Sequence, residues 1–471
     1  MADSSLALPN AAARRVVMLC ANDWRHDTRV TREAEAVAAA GHDVCVLYRA
    51  NAAEPDCVRN GVRYRCVPRG GMAHSELAAL LAVHARVLLR DASRVLRGRL
   101  SGAESLLQVL LLVVLAVPAV PLLLALVFLS RRFERARVML ASLIEPLAYL
   151  NEFAVRCEAA VVDERPDVIH AHDLITLSCG ERGARRSGAA LIYDAHELET
   201  GTNYWSLNAL THYHVRVYER ALISAASGVI TVSGGIADWL ARHYRIDRPT
   251  VVQNVPVTLG EHGSTPGPGR LRATIGLPAA TPLAVYVGAV TVDRGLEPCA
   301  HALEHYPELH FAMVGVRYAE TEGALRRIGA ERGTADRMHF VDPVPSSEVT
   351  SVVADADCAL VPGENVCLSY YLSLPNKLFE SIEAGLPIVA SELPEIRNVV
   401  HEYGIGVVMD VENPRDIARA TREVIEHRDR YVPTGDKRSA VARAHGWPVQ
   451  RARLLQLYER VSRERPRTRR T

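Results

Sequence analysis

The feature that most constrains the fold is a repeated alternation between short apolar runs and helix-forming segments. VVMLCA (16–21), DVCVLY (43–48) and DVIHAHD (167–173) are such runs in the first half of the chain. Runs that are apolar along their length are typical of parallel strands covered on both faces. A strand, a helix and a second strand within about thirty residues form a βαβ unit. The alternation therefore predicts an α/β fold.

A second series of the same kind follows a stretch dense in Gly and Pro, GEHGSTPGPGR (260–270). This stretch is typical of a linker. We predict an N-terminal domain over 1–258 and a C-terminal domain over 259–440. Residues 441–471 would form a helix that packs back toward the N-terminal domain, followed by a basic tail. Parallel sheets bind ligands at the carboxyl ends of their strands, so two facing sheets predict a cleft between the domains.

Composition narrows the function only slightly. A net charge of +1 gives no electrostatic argument for nucleic-acid binding. The nine cysteines show neither a CxxC pair nor metal-ligand spacing, which indicates buried thiols in a reducing compartment. The first residues, MADSSLALPNAAARR, do not resemble a signal peptide. We therefore expect a cytoplasmic location.

One segment of the chain fits neither of the two series of alternating strands and helices. Residues 106–129 carry no charge over 24 positions, which is long enough to cross a bilayer. Pro118 and Pro121 lie near the middle, where they would break or kink a helix. Both flanks are basic, with Arg86, Arg90, Arg94, Arg97 and Arg99 before the segment and Arg131, Arg132, Arg135 and Arg137 after it. The positive-inside rule then places both ends on the cytoplasmic side.

We therefore predict an apolar helical hairpin over 106–129, inside an insertion of about 72–150 in the N-terminal domain. It would dip into one leaflet on the cytoplasmic face of the plasma membrane and make the chain monotopic or peripheral. Arginines beside anionic headgroups would contribute about 1 kcal/mol each. A buried helical pair or a dimer interface is the alternative.

The stretch LPNKLFESIEAGLPIVASELPE (374–395) contains the best candidate for a ligand site. Lys377 and Lys437 are the only lysines of the chain. Pro375 suits a helix start, and a start at Asn376 would place free backbone N–H groups at the cleft as an anion site. Lys377 would add a charge suited to phosphate. Glu380 would share its face of the helix and suits ribose hydroxyls, unless the two residues form an ordinary surface ion pair.

The segment PNKLFESIEAGLPIVASELPE (375–395) resembles the signature of the family-four, or group 1, retaining glycosyltransferases of GT-B fold. The resemblance is to the branch with a Pro-Asn-Lys-Leu-Phe-Glu core. Further similar pieces occur in the family's order: DTRVTREAEAVAAAGHDVCVL, DVIHAHD, YDAHEL, GVITVSGGIADWL, VVQNVP, YVGAVTVDRGLE and RMHFVDPVPSSEVTSVVADADCALVP. Their order and spacing carry the resemblance over about residues 14–430, except the apolar insertion. It implies two Rossmann-like domains that face a cleft.

The resemblance also implies roles for individual residues. The nucleotide sugar would bind mainly the C-terminal half and the acceptor the N-terminal half. The glutamate that holds the ribose corresponds to Glu380, the basic residue that grips the diphosphate to Arg294, and the histidine near the donor sugar to His196. The implied donor contacts are Gly288, Arg294, Asn376, Lys377, Leu378 and Glu380.

Other polar residues near the predicted cleft are weaker candidates. His170 and His172 are better explained as strand-end histidines bonded to neighbours. A helix cap and a solvated charge explain Asp27 and Arg29 as well as a site does.

Two positions depart from the family pattern. Ala289 stands where many relatives have a further arginine, and Lys377 is our candidate substitute. Leu372 stands where many relatives have a glutamate that contacts the donor sugar, so the donor's identity stays open.

The implied reaction is transfer of a sugar from a nucleoside-diphosphate sugar to a lipid-linked or glycan acceptor at an anionic membrane surface. The resemblance implies retention of anomeric configuration, in polysaccharide or glycolipid biosynthesis. His196, Arg294 and Lys377 are the candidate catalytic residues. We expect no cofactor and no metal, because cations and a helix N-terminus would stabilise the charge on the leaving diphosphate. A nucleotide-sugar epimerase and an inactive nucleotide-sugar-binding scaffold are the alternatives.

Overall fold

The computed structural model describes residues 13–68, 153, 156–203, 209–260 and 269–463. The whole predicted insertion with its hairpin, part of the linker and the basic tail lie outside these residues. Within the described part of the chain, no helix is both long and apolar enough to cross a membrane.

The N-terminal domain contains one sheet of eight strands in the order β3-β4-β2-β1-β5-β6-β7-β8. All neighbouring pairs are parallel except β3 with β4. The strands are β1 Arg15–Cys20, β2 Asp43–Ala50, β3 Cys57–Arg59, β4 Val62–Pro68, β5 Val168–His172, β6 Ala190–Ala195, β7 Gly228–Thr231 and β8 Thr250–Val251. Within the described residues its helices include α1 Thr28–Ala39, α2 Asp173–Ser187, α3 Ala209–Ile223 and α4 Gly234–Tyr244.

The C-terminal domain contains a sheet of six strands, all parallel, in the order β11-β10-β9-β12-β13-β14. The strands are β9 Leu283–Val287, β10 His310–Val314, β11 Met338–Val341, β12 Cys358–Val361, β13 Ile388–Ser391 and β14 Gly406–Met409. Between Leu271 and Glu426, the described helices are α5 Leu271–Ile275, α6 Leu296–Ala302, α7 Ala319–Arg332, α8 Val349–Val353, α9 Leu368–Leu372, α10 Asn376–Glu383, α11 Pro394–Tyr403 and α12 Pro414–Glu426. The last helices are α13 Arg428–Tyr431, α14 Gly435–His445 and α15 Trp447–Arg463.

Both sheets are buried on both faces, as the apolar runs predict. In β1, Val17 and Leu19 belong to one apolar core, and Val16 and Met18 belong to the core on the opposite face. Successive side chains of β9 divide in the same way between the two cores of the C-terminal domain. The predicted α/β class with two Rossmann-like domains is therefore confirmed.

The sequence analysis missed the edge hairpin β3–β4. Its turn is Asn60-Gly61, with φ of 49° and 79°. Asn-Gly between two short strands is a strong signal for a two-residue hairpin loop, because both residues must adopt positive φ.

Several hydrogen bonds join the two domains beside the cleft. Ser233 Oγ donates to the Leu372 carbonyl at 2.5 Å, and the Gly235 N–H donates to Glu395 at 2.6 Å. Asn203 Nδ2 donates to the Asp293 carboxylate at 2.7 Å. The facing edges of the two sheets are therefore held at fixed positions in this structure.

The chain returns from the C-terminal to the N-terminal domain near Gly446. Val441 belongs to a C-terminal core, whereas Leu454, Leu457 and Tyr458 of α15 belong to an N-terminal core. Leu457 lies so close to β7 that a Cβ on Gly228 would be 2.8 Å from Leu457 Cδ1. The helix thus completes the apolar cover of the N-terminal sheet.

We expect Leu457→Ala to lower the free energy of unfolding of the N-terminal domain by about 2 to 5 kcal/mol, because truncation of a buried leucine leaves a cavity. Thermal unfolding followed by circular dichroism measures the change. Gln456→Ala, at the exposed neighbouring position, is the matched control and should stay within about 0.5 kcal/mol of the wild type. Equal effects of the two substitutions would contradict this role of α15.

Candidate functional site

A cleft of about 510 Å³ lies between the domains, at the carboxyl ends of their strands. This is where parallel sheets place ligands. Its N-terminal wall includes Arg29, His196, Glu197, Val232 and Asn254. Its C-terminal wall includes Tyr286, Gly288, Ala289, Arg294, Tyr370, Asn376, Lys377 and Glu380. The structure thus brings together all the predicted site residues except Leu378.

Helix α10 presents its N-terminus to the cleft. Pro375 precedes the helix in an extended conformation, and no side chain caps the helix start. Asn376 is exposed in the cleft wall. The first N–H groups of a helix carry partial positive charge and bind anions. The helix end is therefore available to an anionic ligand.

Lys377 is half-buried in this wall and does not form the surface ion pair considered above. Its Nζ donates to the Tyr286 hydroxyl at 2.8 Å and lies 4.0 Å from the centre of that ring. Among the described residues, no carboxylate lies within ion-pair distance of Nζ. Burial, reinforced by the nearby Arg294 charge, lowers the pKa of Lys377 to about 7, while Glu380 opposes the shift. An anion in the cleft would meet an ammonium group with no competing carboxylate in contact.

Glu380 lies one turn further along α10. Among the described residues, its carboxylate accepts no hydrogen bond. Burial raises its pKa, and the charges of Lys377 and Arg32 oppose the shift. A partly buried acceptor without a donor is suited to a ligand that carries hydroxyl groups.

Arg294 approaches the cleft from the loop between β9 and α6. Its guanidinium lies 5.0 Å from the centre of the Tyr370 ring. The following residue, Gly295, has φ of 66°, and a Cβ there would lie 2.1 Å from the Pro362 carbonyl oxygen. A side chain at position 295 is therefore excluded, which fixes the path of the loop. Gly288 similarly leaves room for Lys377, whose Nζ would lie 3.3 Å from a Cβ there.

His196 projects into the cleft from the loop after β6. Its Nε2 lies 3.2 Å from Asp194 Oδ2, and its Nδ1 lies 3.3 Å from Asp173 Oδ1. Burial alone would lower the pKa of His196, but the two carboxylates outweigh it and raise the pKa to about 10. The ring is therefore held from both nitrogens and carries positive charge at neutral pH.

Arg29 also borders the cleft, but the interpretation of Arg29 as a solvated charge is wrong. Its guanidinium is buried and binds both oxygens of Asp194, at 2.8 and 2.9 Å. It also donates to the Val252 carbonyl at 2.8 Å. Burial favours a neutral Asp194, yet Arg29 holds the pKa of this carboxyl well below its usual range. Asp27 is a helix cap, because its carboxylate accepts from the Val30 N–H at 3.1 Å.

The two weaker histidine candidates lie beneath the cleft rather than in its wall. His170 and His172 are buried on β5. His170 Nδ1 lies 2.9 Å from the Tyr458 hydroxyl, and His172 Nδ1 lies 3.1 Å from His196 Nε2. Both histidines are bonded to neighbouring residues, as we predicted for histidines at a strand end.

The predicted contact between the Leu378 side chain and the donor is not supported by the structure. This residue's side chain is fully buried in the core of the C-terminal domain, and its N–H donates to the Pro375 carbonyl at 3.1 Å. It supports α10 from below and does not line the cleft. The position follows from helix periodicity, since residues 377 and 380 face the cleft and 378 faces the opposite side.

The two departures from the family pattern have different surroundings. Ala289 lines the cleft and offers no side-chain charge. Leu372 packs against the apolar core of the N-terminal domain. The Leu372 side chain therefore contributes to the contact between the two domains.

Sequence reasoning missed Tyr286 and the carboxylates that hold His196. Tyr286 is hidden in the apolar run LAVYV, although a tyrosine near a strand end often presents its hydroxyl to a ligand site. Asp194 interrupts the apolar run ALIYDA. A charge inside a buried strand needs a buried partner, and that signal could have identified it.

Comparisons with known proteins agree with this architecture. The model for Glycosyltransferase Family 4 matches residues 112–257, and that for Glycosyl transferases group 1 matches residues 281–427. D-inositol 3-phosphate glycosyltransferase of Streptomyces coelicolor is 25% identical over 62% of this chain and 68% of its own.

Solved structures of low identity share the fold. Sucrose-phosphate synthase of Thermosynechococcus elongatus has a TM-score of 0.67 at 17% identity, over 96% of this chain and 100% of its own. Anabaena Alr3699/HepE in complex with UDP and glucose has a TM-score of 0.62 at 12% identity, over 95% of this chain and 100% of its own. The chain is therefore an enzyme, a glycosyltransferase of the GT-B fold, with an N-terminal segment similar to the family 4 model and a C-terminal segment similar to the group 1 model.

Proposed function

We propose that this glycosyltransferase moves a sugar from a nucleoside-diphosphate sugar to a lipid-linked or glycan acceptor at the cytoplasmic face of the plasma membrane. The observation that carries the proposal is the set of complementary groups on the C-terminal wall of the cleft. Lys377, Arg294 and the N-terminus of α10 supply positive charge, and Glu380 supplies a free acceptor next to them.

The diphosphate of the donor would lie against the positive groups. A lysine is a compact charge suited to phosphate, and arginine binds phosphate oxygens in a forked geometry. The complex of Anabaena Alr3699/HepE with UDP and glucose supports a donor of this class. The ribose of the same donor would reach Glu380, one helical turn from Lys377.

We propose that the reaction proceeds with retention and without a metal at the diphosphate. Negative charge grows on the leaving phosphate as the sugar departs, and preorganised cations in a partly buried site stabilise such charge. His196 faces this region from the opposite domain and would contact the donor sugar. Its two carboxylate partners hold it in position for that contact.

The acceptor would bind the N-terminal wall, near the membrane. Arg156, after the insertion, donates from Nη1 to the carbonyl of Pro68, before it, at 3.0 Å. The described residues on either side of the insertion therefore meet at one place on the domain. This proximity, the uncharged residues 106–129 and their arginine flanks support the proposal that the insertion contacts the membrane.

Sugar transfer tests the proposal. The purified chain, given a panel of labelled nucleotide sugars and a membrane lipid extract, should form a labelled product whose anomeric configuration matches the donor. Glu380→Ala should raise the donor KM about tenfold or more, because charged hydrogen bonds contribute about 1.5 to 3 kcal/mol. Added Mg²⁺ or Mn²⁺ should leave kcat unchanged.

Glu392→Ala is the matched control, since Glu392 is an exposed glutamate on the same domain. Its donor KM should equal that of the wild type. Nucleotide binding without product on any acceptor would contradict the transferase proposal, and an unchanged KM in Glu380→Ala would remove Glu380 from the donor site.

The pKa of Lys377 predicts a pH dependence of donor binding. With a pKa of about 7 in the free protein, Lys377 is charged below pH 7 and loses its proton above it. A bound diphosphate favours the charged form and raises this pKa, so binding takes up a proton above pH 7. Affinity for UDP should therefore fall by up to about tenfold per pH unit above 7.

Calorimetric titration with UDP from pH 7 to 9 measures this fall, in buffers of different ionisation enthalpy. Lys377→Arg should flatten the profile, because arginine stays charged throughout this range. A wild-type affinity that does not change with pH would show that Lys377 does not contact the diphosphate.

Membrane association is tested by flotation with vesicles. The wild type should float with vesicles that contain an anionic lipid, and less with neutral vesicles, because arginines attract anionic headgroups. Removal of residues 106–129 with a short Gly-Ser junction should abolish flotation. A wild type that stays soluble at low salt and does not float would contradict the membrane part of the proposal alone.

A further inference from the structure

Four potential metal ligands converge beneath the N-terminal wall of the cleft. They are Glu33 from α1, His170 and His172 from β5, and Asp194 from β6. One ligand atom of each lies within 4.8 Å of those of the others. All four side chains are at most 1% exposed. Adjacent parallel strands and the helix packed on them thus bring two imidazoles and two carboxylates to one point.

Several of these ligand atoms have no hydrogen-bond partner within the described part of the chain. They are both carboxylate oxygens of Glu33 and the Nε2 atoms of His170 and His172. An unpaired polar atom in a protein interior costs about 1 to 3 kcal/mol, and more when it is charged. Glu33 Oε1 is in ion-pair contact with Arg29, but Glu33 Oε2 and His170 Nε2 are both unpaired and lie 3.9 Å apart, which indicates an additional ligand between them.

The separations suit a common ion. His170 Nε2 lies 3.9 Å from Glu33 Oε2 and 3.9 Å from Asp194 Oδ2, and His172 Nδ1 lies 3.2 Å from the same Asp194 oxygen. Tetrahedral ligands bound at about 2.1 Å lie about 3.4 Å apart. The four ligand atoms lie within 4.8 Å of one another, so side-chain movements on the order of 1 Å would bring them to coordination distance.

The surrounding groups are those expected around metal ligands. His170 contacts the Tyr458 hydroxyl through Nδ1, which orients Nε2 toward the carboxylates. Asp194 accepts from Arg29 and lies 3.2 Å from His196, and Arg29 is also 3.2 Å from Glu33. An ionised carboxylate has about four acceptor positions, so these contacts leave room for a metal.

We propose that Glu33, His170, His172 and Asp194 bind one divalent transition-metal ion, with Zn²⁺ the best match to two imidazoles and two carboxylates. The ion joins α1, β5 and β6 beneath the cleft and stabilises the N-terminal domain. It lies on the opposite side of the cleft from Lys377 and Arg294 and takes no part in binding the diphosphate. The metal site can therefore be tested apart from diphosphate binding, although it shares Asp194 with the contact that holds His196.

Metal analysis of the full chain, purified without a histidine tag or chelator, tests the site. We expect about one zinc ion per chain by mass spectrometry. Removal of the ion by a chelator should lower Tm by at least about 3 °C, and added Zn²⁺ should restore it. Co²⁺ in place of Zn²⁺ should give visible ligand-field bands.

Glu33→Gln and His170→Gln should lose the metal and the cobalt bands. His310→Gln is the matched control, because His310 also contacts a second histidine, at 2.9 Å from His339 Nε2, in the other domain. It should retain the metal. A wild-type chain with less than about 0.1 metal per molecule and no Tm response to Zn²⁺ would overturn the proposal whether or not the variants fold. Metal retained by both cluster variants would also overturn it.

Discussion

Parallel pairing of strands that are apolar over their whole length is the constraint on which this structure depends. Such strands must be covered on both faces, so each sheet lies between layers of helices. Parallel pairing also places every strand's carboxyl end, and every following loop, at one edge of its sheet. The two edges face each other and are joined by bonds such as Ser233 to Leu372. The cleft, and the polar residues that line it, follow from this arrangement.

The charged side chains on the two walls of the cleft differ in whether they form ion pairs. On the C-terminal wall, no described residue forms an ion pair with Lys377 or Glu380, so both groups can respond to a ligand. On the N-terminal wall, buried charges are paired, as in the bidentate contact of Arg29 with Asp194. A buried pair of this kind fixes geometry more than it adds stability. In this structure the Arg29–Asp194 pair fixes the Asp194 carboxylate, which in turn positions His196.

Local sequence predicted most of the strands and helices, but not the hairpin β3–β4 or the side-chain contacts between distant parts of the chain. The start of α10 near Asn376 followed from the proline and the helix formers after it, and the structure begins the helix there. The Tyr286 partner of Lys377 is 91 residues away in sequence, and the Asp194 partner of Arg29 is 165 residues away. Such contacts depend on strand order, which periodicity does not specify. Leu378 was misassigned because a sequence motif does not distinguish the two faces of a short helix.

In the proposed complex, a nucleoside diphosphate occupies the C-terminal wall, with its ribose on Glu380 and its phosphates on Lys377 and Arg294. A crystal structure of the chain with UDP measures this directly. We expect ribose hydroxyls within about 3.2 Å of the Glu380 carboxylate and a phosphate oxygen within about 3.2 Å of Lys377 Nζ. UDP bound with its ribose away from Glu380, or its phosphates away from Lys377 and Arg294, would contradict it.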